Sequence, residues 1–256
     1  MSDVDDLGTR VALAAPPARV VSLVPSLTET VAVSTPGLLV GATDYCTHPA
    51  GLDVARVGGS KYPDLDRVRA LDPDLVLANA EENRLSDVDG LRAAGVPVWV
   101  TGPTTLAGAF TSLRRMLRVC GVDPAPPWLD EARRAWSSTY DGSPPRRVAA
   151  VPVWRRPWMV LGSGTFAGDV LRRLGIGNAF GDSAERYPRT GVEEIRASGA
   201  DLVVLPDEPY AFGPDDGPEE FPGMPVALVS GRHLTWYGPS LLEARDLLEA
   251  QLAAAG

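Results

Sequence analysis

Two stretches of the sequence, one in each half, repeat the same pattern: LDRVRALDPDLVLA at 65–78 and VEEIRASGADLVVL at 192–205. Each begins with apolar residues at helical spacing around a carboxylate and an Arg-Ala pair, which predicts a short amphipathic helix. Each then runs through D-L-V into apolar residues, a pattern typical of a strand buried on both faces. A helix-then-strand unit repeated in each half predicts two equivalent lobes.

Further apolar runs alternate with helical patterns in both halves. The other candidate strands are 20–24, 96–100, 148–153 and 226–229, and the candidate helices include 87–94 and 106–119. Strands that alternate with helices form parallel sheets with helices on both faces. The predicted fold class is therefore α/β, with two Rossmann-like lobes and no sheet that continues through both.

A proline-bracketed segment, DPAPPWLDEARRAWSSTYDGSPPRR, separates the two halves. Leu129, Ala132 and Trp136 give it the apolar stripe of a helix, and flanking prolines make such a helix a stiff connector. We therefore predict an N-terminal α/β lobe, a single connecting helix and a C-terminal α/β lobe. Their predicted bounds are 1–126, 127–146 and 147–256.

Composition excludes several classes of partner. The formal net charge is -9 and Lys and Arg form no basic stripe, which argues against nucleic acid. No apolar run approaches the roughly 20 residues of a membrane span. The start, MSDVDDLGTR, is acidic and polar and does not read as a signal peptide. The expected location is cytoplasmic, or the cell surface or periplasm if the true start lies upstream.

Four loops that follow predicted strands are rich in polar and aromatic residues. They are VGATDYCTHP (40–49), LANAEENR (77–84), VPVWRRPWMV (151–160, before glycines at 162 and 164) and SGRHLTWYGPS (230–240). Open α/β sheets bind ligands beyond the carboxyl ends of their strands. Paired Trp and Arg at 154–158 suit a flat or anionic ligand. Upstream, at 19–30, RVVSLVPSLTET predicts a strand followed by a helix capped by Ser26, with Glu29 completing a capping box.

The ordered set of strand-PSLTE, VGATDYCTHP, VGGSKYPDLDRVRALDPDLVLA, LRAAGVPVWV, the glycine turn and YPRTGVEEIRA resembles the helical backbone metal receptors, which bind cobalamin or iron chelates for ABC importers. The resemblance covers about residues 19–252. It implies two lobes joined by one long helix, with the ligand in the cleft between them. Tyr45 occupies the place of a cleft aromatic, Tyr187 replaces a tryptophan, and Trp154 or Trp158 corresponds to a third aromatic.

Departures from that pattern leave open a smaller, more polar chelate than cobalamin. Ser60 and Asn79 stand near positions where the cobalamin receptor has tryptophans. The resemblance also implies docking on a permease through one carboxylate in each lobe, at Asp66 and Glu193. We predict that nine residues line the interlobe cleft: Tyr45, His48, Asn79, Glu82, Trp154, Trp158, Tyr187, His233 and Trp236.

The predicted function is binding of cobalamin or an iron chelate without turnover, by an importer's substrate-binding protein or a cytosolic relative. No catalytic residue or required cofactor is expected, and the ligands of any metal stay undefined. One alternative is a metal-dependent enzyme using Cys46, His48 and His233; another is an interaction module that has lost its ligand. Replacing Trp158 or Tyr187 by alanine should weaken binding and leave the fold intact. Cys46 and Cys120 should not form a disulfide.

Overall fold

The structure, a computed structural model, describes residues 2–137 and 143–255. These fall into two compact units. The first comprises the residues up to Pro103, Ala107–Asp130 and Tyr237–Pro239; the second comprises Thr104–Leu106, Glu131–Trp236 and the residues from Ser240 onwards. The segment Tyr237–Pro239 therefore belongs to the first unit although the residues on both sides of it belong to the second.

A five-stranded parallel sheet forms the centre of the first unit, in the order β5-β4-β3-β6-β7. The strands of this unit are β1 (Ser2–Val4), β2 (Arg10–Ala12), β3 (Val20–Ser22), β4 (Leu39–Ala42), β5 (Ala55–Arg56), β6 (Leu75–Asn79) and β7 (Val98–Thr101). The first four helices of the chain are α1 (Pro25–Ser34), α2 (Leu65–Ala70), α3 (Leu85–Ala93) and α4 (Leu106–Val119). The core has the apolar β-branched composition expected of strands buried on both faces.

An antiparallel hairpin of β1 and β2 precedes this sheet, and aspartates attach it to the unit. The side chain of Asp5 is fully buried and accepts a hydrogen bond from Arg92 Nη2 at 2.8 Å. It also accepts from the backbone N–H of Leu7, Thr9 and Val100. The backbone N–H of Asp6 donates to the carbonyl of Val100 at 3.0 Å. The acidic start of the sequence is thus a structural part of the first unit.

The predicted capping box at the start of α1 is wrong. The helix begins at Pro25, and the N-cap residue is Val24, which has no side chain able to accept a hydrogen bond. Ser26 lies inside the first turn, and its buried hydroxyl makes no hydrogen bond within the part of the chain that the structure describes. Proline suits the first helical position because it lacks the N–H that a cap would satisfy.

The second unit contains a four-stranded parallel sheet in the order β11-β8-β12-β13 and a separate antiparallel pair, β9 and β10. Its strands are β8 (Arg147–Ala150), β9 (Pro152–Arg155), β10 (Trp158–Val160), β11 (Ile176–Asn178), β12 (Leu202–Pro206) and β13 (Val226–Val229). The remaining helices of the chain are α5 (Pro127–Ala135), α6 (Phe166–Arg173), α7 (Val192–Arg196), α8 (Gly231–Thr235) and α9 (Leu241–Ala253), with a 3-10 turn at Pro218–Glu220.

Both copies of the sequence repeat fold into the predicted helix-then-strand unit, α2–β6 and α7–β12. Val68 of α2 and Ile195 of α7 are the fully buried residues of their helices. Every residue of β6 and of β12 is buried. The described residues form separate parallel sheets in the two units, so the α/β fold class is confirmed.

The predicted connecting helix is described only in part. Helix α5 covers Pro127–Ala135, and the structure leaves residues 138–142 outside the described ranges. The three-part division at 126 and 146 therefore stays a prediction. No helix among the described residues is long and apolar enough to cross a bilayer.

Cys46 and Cys120 are both free and buried, so the expected absence of a disulfide between them is confirmed. Burial raises the pKa of the Cys120 thiol to about 12. The pKa of Cys46 is also raised, first by burial, although hydrogen bonds with Thr28 and Thr43 act in the opposite direction.

Both thiols are expected to react slowly with a disulfide reagent at pH 8, because the thiolate is the nucleophile and burial disfavours it. Titration with dithionitrobenzoate under native conditions should give much slower colour development than in guanidinium chloride. A fast native phase equal to one thiol would contradict the burial of one of these residues.

Candidate functional site

At the carboxyl end of β6, two asparagines close a turn. The backbone N–H groups of Glu81 and Glu82 donate to Asn79 Oδ1 at 2.7 and 3.1 Å. The Asn79 N–H in turn donates to Asn83 Oδ1 at 2.8 Å. Asn83 Nδ2 donates to the carbonyl of Ser60, in the loop after β5, at 2.8 Å. The predicted site residues Asn79 and Glu82 are therefore held in one ordered turn.

The side chain of Asn79 is buried and continues this network beneath the turn. Its Nδ2 donates to the hydroxyl of Tyr237 at 2.5 Å. The same hydroxyl lies 2.8 Å from Thr101 Oγ1, at the carboxyl end of β7. Sequence reasoning placed Tyr237 with the last strand of the second half and gave Thr101 no role. Thr101 could have been found, because it ends an apolar run just as Asn79 does.

The loop after β4 presents Tyr45 to solvent, with 67% of the residue exposed. Arg56 fixes the backbone of this loop on both sides of Tyr45, because its Nη1 donates to the carbonyls of Thr43 and Cys46 at 2.9 Å each. Tyr62, in the loop after β5, is 70% exposed and lies under the Arg84 guanidinium, 4.5 Å from the ring centroid. These loops thus place two aromatic rings on the surface near the strand ends.

Cys46 and His48 are each engaged by neighbouring threonine side chains. Cys46 Sγ is buried between the hydroxyls of Thr28 and Thr43, at 3.0 and 3.1 Å. His48 is half-buried, and its Nδ1 lies 3.1 Å from Thr47 Oγ1. Within the described ranges, no group of three or more His, Cys, Asp or Glu side chains could hold a metal ion.

In the second unit, Trp154 stands at the surface with 41% of the residue exposed. Its ring meets Tyr210, which follows β12, edge to face at a centroid distance of 5.6 Å. The Trp154 indole N–H donates to the carbonyl of Arg156 at 3.3 Å. Trp154 is therefore an oriented, accessible ring in β9, the strand that follows β8 of the parallel sheet along the chain. Tyr210 was missed because it lies in an acidic, proline-rich loop.

Trp158 and Arg155 have structural contacts that sequence reasoning did not foresee. The Trp158 ring stacks on Phe212 at 6.0 Å and meets Phe221 edge to face at 5.7 Å. Arg155 forms ion pairs with Asp216, Glu219 and Glu220, and only 11% of its side chain is exposed. Truncation of Trp158 would remove part of this aromatic cluster, so we expect it to destabilise the second unit as well as to weaken binding.

His233 and Trp236 are buried in the second unit. Both His233 ring nitrogens have partners: Nδ1 lies 2.8 Å from Ser230 Oγ, and Nε2 lies 3.0 Å from Glu243 Oε1. Trp236 Nε1 donates to Glu208 Oε2 at 3.0 Å. Burial raises the pKa of Glu208, partly offset by that hydrogen bond. These contacts hold α8 in place and leave little of His233 to ligate a metal.

Tyr187 is half-buried in a segment that packs against the glycine turn. The N–H of Gly162 donates to the carbonyl of Arg186 at 2.7 Å, and the N–H of Val160 donates to that of Pro188 at 3.1 Å. A Cβ on Gly162 would lie 2.1 Å from the carbonyl oxygen of Glu185. Glycine at 162 therefore allows a close backbone approach, and this segment positions Tyr187.

The predicted site residues thus form two groups, one in each unit. Asn79 and Glu82 share a turn in the first unit, where Tyr45 and His48 lie in the loop after β4. Trp154, Trp158, Tyr187, His233 and Trp236 lie in the second unit, where Trp154 is the exposed one. Among the described residues, the exposed aromatic side chains are those of Tyr45, Tyr62 and Trp154. That the two groups line one cleft stays a prediction.

Solved structures of other proteins share this architecture. The periplasmic vitamin B12 binding protein BtuF of Vibrio cholerae superposes with a TM-score of 0.74, at 20% identity over 94% of this chain and 98% of that one. The Helicobacter pylori protein CeuE, solved with Ni(II) bound, gives a TM-score of 0.81 at 15% identity, covering all of this chain and 90% of the other. The chain shares their fold.

Sequence comparison finds a binding protein as well, and a further solved structure shares the fold. A vitamin B12-binding protein of Yersinia pestis is 25% identical over 196 residues, which cover 73% of this chain and 69% of that protein. The periplasmic heme-binding protein RhuT of Roseiflexus sp. RS-1 has a TM-score of 0.71 at 19% identity, over 93% and 99% of the two chains. No family model matches the chain. The predicted resemblance is confirmed, and the similar proteins are named for binding rather than for catalysis.

Asp66 and Glu193 occupy equivalent positions in the two copies of the repeat. Each is the second residue of its helix, in α2 and α7, and each side chain is at least 80% exposed. Each pairs with the arginine one turn later: Asp66 with Arg69, and Glu193 with Arg196. The structure thus places an accessible carboxylate at the second position of the equivalent helix in each unit.

Proposed function

We propose that this protein binds a metal-containing small molecule, cobalamin or an iron chelate such as haem, and releases it unchanged. The observation that carries the proposal is the set of exposed aromatic rings that follow parallel strands along the chain. Tyr45 lies in the loop after β4, Tyr62 in the loop after β5, and Trp154 in β9, which follows β8. Aromatic rings that are accessible to solvent offer flat apolar faces on which a macrocycle or an aromatic chelator can stack.

The surroundings of these rings favour binding over turnover. The candidate catalytic groups Cys46, His48 and His233 are engaged with neighbouring side chains, and the described part of the chain offers no metal cluster. The fold is that of proteins named for binding vitamin B12 or heme, and of one protein solved with Ni(II) bound. A resident catalytic cofactor is not part of the proposal.

Titration calorimetry with cyanocobalamin, haemin and a ferric tris-catecholate tests this function. We expect one of them to bind the wild-type protein at micromolar concentration or below. Tyr45→Ala and Trp154→Ala should each weaken that binding by about 1–3 kcal/mol, or roughly 5- to 150-fold, because each removes an aromatic anchor.

Leu242→Ala is the matched control, because Leu242 is 42% exposed on α9, almost the same as Trp154. It should leave affinity unchanged. The proposal fails if none of the three chelates binds the wild-type protein, or if both aromatic variants bind as well as the control. An unchanged absorption spectrum of the chelate after release would verify that binding occurs without turnover.

We further propose that Asp66 and Glu193 are docking acids for an ABC permease. Their equal placement, exposure and pairing with a neighbouring arginine support this role. A cytosolic carrier of the same chelate would have no use for them. Fractionation of the source cells separates the two possibilities, since a receptor is recovered at the cell surface or in the periplasm and a carrier in the cytoplasm.

A further inference from the structure

The hydrogen-bond network around Tyr237 has a defined direction. The backbone N–H groups of Glu81 and Glu82 can only donate, so the oxygen of the Asn79 amide must face them. The Asn79 nitrogen therefore faces the Tyr237 hydroxyl and donates to it. That assignment fixes the orientation of the amide from its contacts alone.

The direction of the next hydrogen bond follows from Thr101. Thr101 Oγ1 donates its hydrogen to the carbonyl of Ala78 at 3.1 Å. Thr101 Oγ1 must therefore be the acceptor of the hydrogen bond with Tyr237, and the Tyr237 hydroxyl is its donor. The phenol thus accepts from Asn79 and donates to Thr101 at once, so both of its hydrogen-bonding functions are committed.

Tyr237 cannot contact a ligand directly because it is buried under the turn. Burial raises the pKa of Tyr237, which favours the protonated phenol that donates to Thr101. Its segment, Tyr237–Pro239, belongs to the first unit although its chain neighbours belong to the second. The residue lies 158 positions from Asn79 in sequence and reaches it only through the fold.

We propose that Tyr237 is a positioning residue for ligand binding: its hydroxyl holds the Asn79 amide in the orientation that folds the 79–83 turn and presents Glu82. The predicted effect of Tyr237 on ligand affinity rests on the proposed function. Without the hydroxyl, the buried Asn79 nitrogen loses its acceptor. An unsatisfied buried donor is costly, so the Asn79 side chain is expected to turn away and release the Glu81 and Glu82 amides.

The first test needs no ligand. In Tyr237→Phe, amide hydrogen exchange at Glu81 and Glu82, followed by NMR, should accelerate at least about tenfold relative to the wild type. Ser112→Ala is the control, because it also removes a buried hydroxyl from the first unit, one that donates to Asp6 Oδ2 at 2.5 Å. The control should leave exchange at Glu81 and Glu82 unchanged. Equal exchange in Tyr237→Phe and the wild type would overturn the proposal.

The second test measures affinity for whichever of cyanocobalamin, haemin or the ferric tris-catecholate binds the wild-type protein. Tyr237→Phe should bind it about tenfold more weakly and Ser112→Ala equally well. Loosened amides with unchanged affinity would show that the turn does not serve the ligand, which also overturns the proposal. If the wild type binds none of the three, the proposed function fails, and the exchange result alone decides whether Tyr237 holds the turn.

Thr101→Val keeps the test decisive if Tyr237→Phe does not fold. It removes the acceptor on the other side of the hydroxyl and retains the shape of the side chain. The phenol hydrogen then loses the acceptor that Thr101 provides, so the hydroxyl can rotate and its hydrogen can oppose the N–H that Asn79 Nδ2 donates. Exchange at Glu81 and Glu82 should again accelerate, and unchanged exchange in this variant would contradict the proposed orientation.

Discussion

Replacing Asp5 by alanine is expected to lower the free energy of unfolding of the first unit by about 3–5 kcal/mol, because removing one partner of a buried ion pair leaves the other uncompensated. The Asp5 carboxylate is fully buried against Arg92, 2.8 Å away. It also accepts hydrogen bonds from the backbone N–H of Leu7, Thr9 and Val100. Urea denaturation followed by tryptophan fluorescence and circular dichroism should show the earlier transition.

Asp3→Ala is the matched comparison. Asp3 also pairs with an arginine, Arg118, but more than half of that arginine's side chain is exposed. Exposed ion pairs contribute about 0–1 kcal/mol, so this variant should unfold close to the wild type. Equal destabilisation by the two substitutions would mean that burial of the Asp5 carboxylate does not determine its contribution.

Gly162→Ala is expected to destabilise the second unit by about 3 kcal/mol, at the upper end of the usual cost of overpacking. The added Cβ would lie 2.1 Å from the carbonyl oxygen of Glu185 and 3.0 Å from Pro188 Cδ. The first of these is a backbone atom, which cannot turn aside as a side chain could. Thermal unfolding monitored by circular dichroism measures the loss.

Gly191→Ala provides the control in the same unit. Gly191 has nothing within 4 Å of an added Cβ, and its φ of -100° is open to any residue. Alanine there should be neutral or slightly stabilising, since it restricts the unfolded chain. If Gly162→Ala unfolds at the same temperature as Gly191→Ala, the segment before Pro188 can move away and the close approach is not required.

The helices and strands could be predicted from the sequence because burial restricts which residue types occupy each position of a helix or strand. Strands β6 and β12 are buried on both faces and read as continuous apolar runs, and their preceding helices each bury a single β-branched residue, Val68 and Ile195. Repetition of that local pattern was enough to predict two α/β units. The capping box failed because Ser26 satisfies the pattern of a cap, but Pro25 already starts the helix one residue earlier.

The site was less predictable because its contacts join distant residues. Asn79 and Glu82 could be found, since they directly follow a buried strand. Tyr237 could not, because no local pattern ties it to Asn79. Arg155 and Trp158 read as a surface patch for an anionic or flat ligand, yet the acidic loop around Asp216 and the ring of Phe212 are their partners. Only the fold decides whether such groups face a ligand or the protein itself.

The hairpin of β1 and β2 also affects the tendency of this protein to self-associate. Strand β7 is the last in its sheet, and an outermost strand with unused backbone groups is a template for pairing with another molecule. Here the N–H of Val100 donates to Asp5 and its carbonyl accepts from Asp6. The first residues of the chain thus cover this edge strand of the sheet. A truncated form that lacks them would expose the backbone groups of β7, where aggregation can begin.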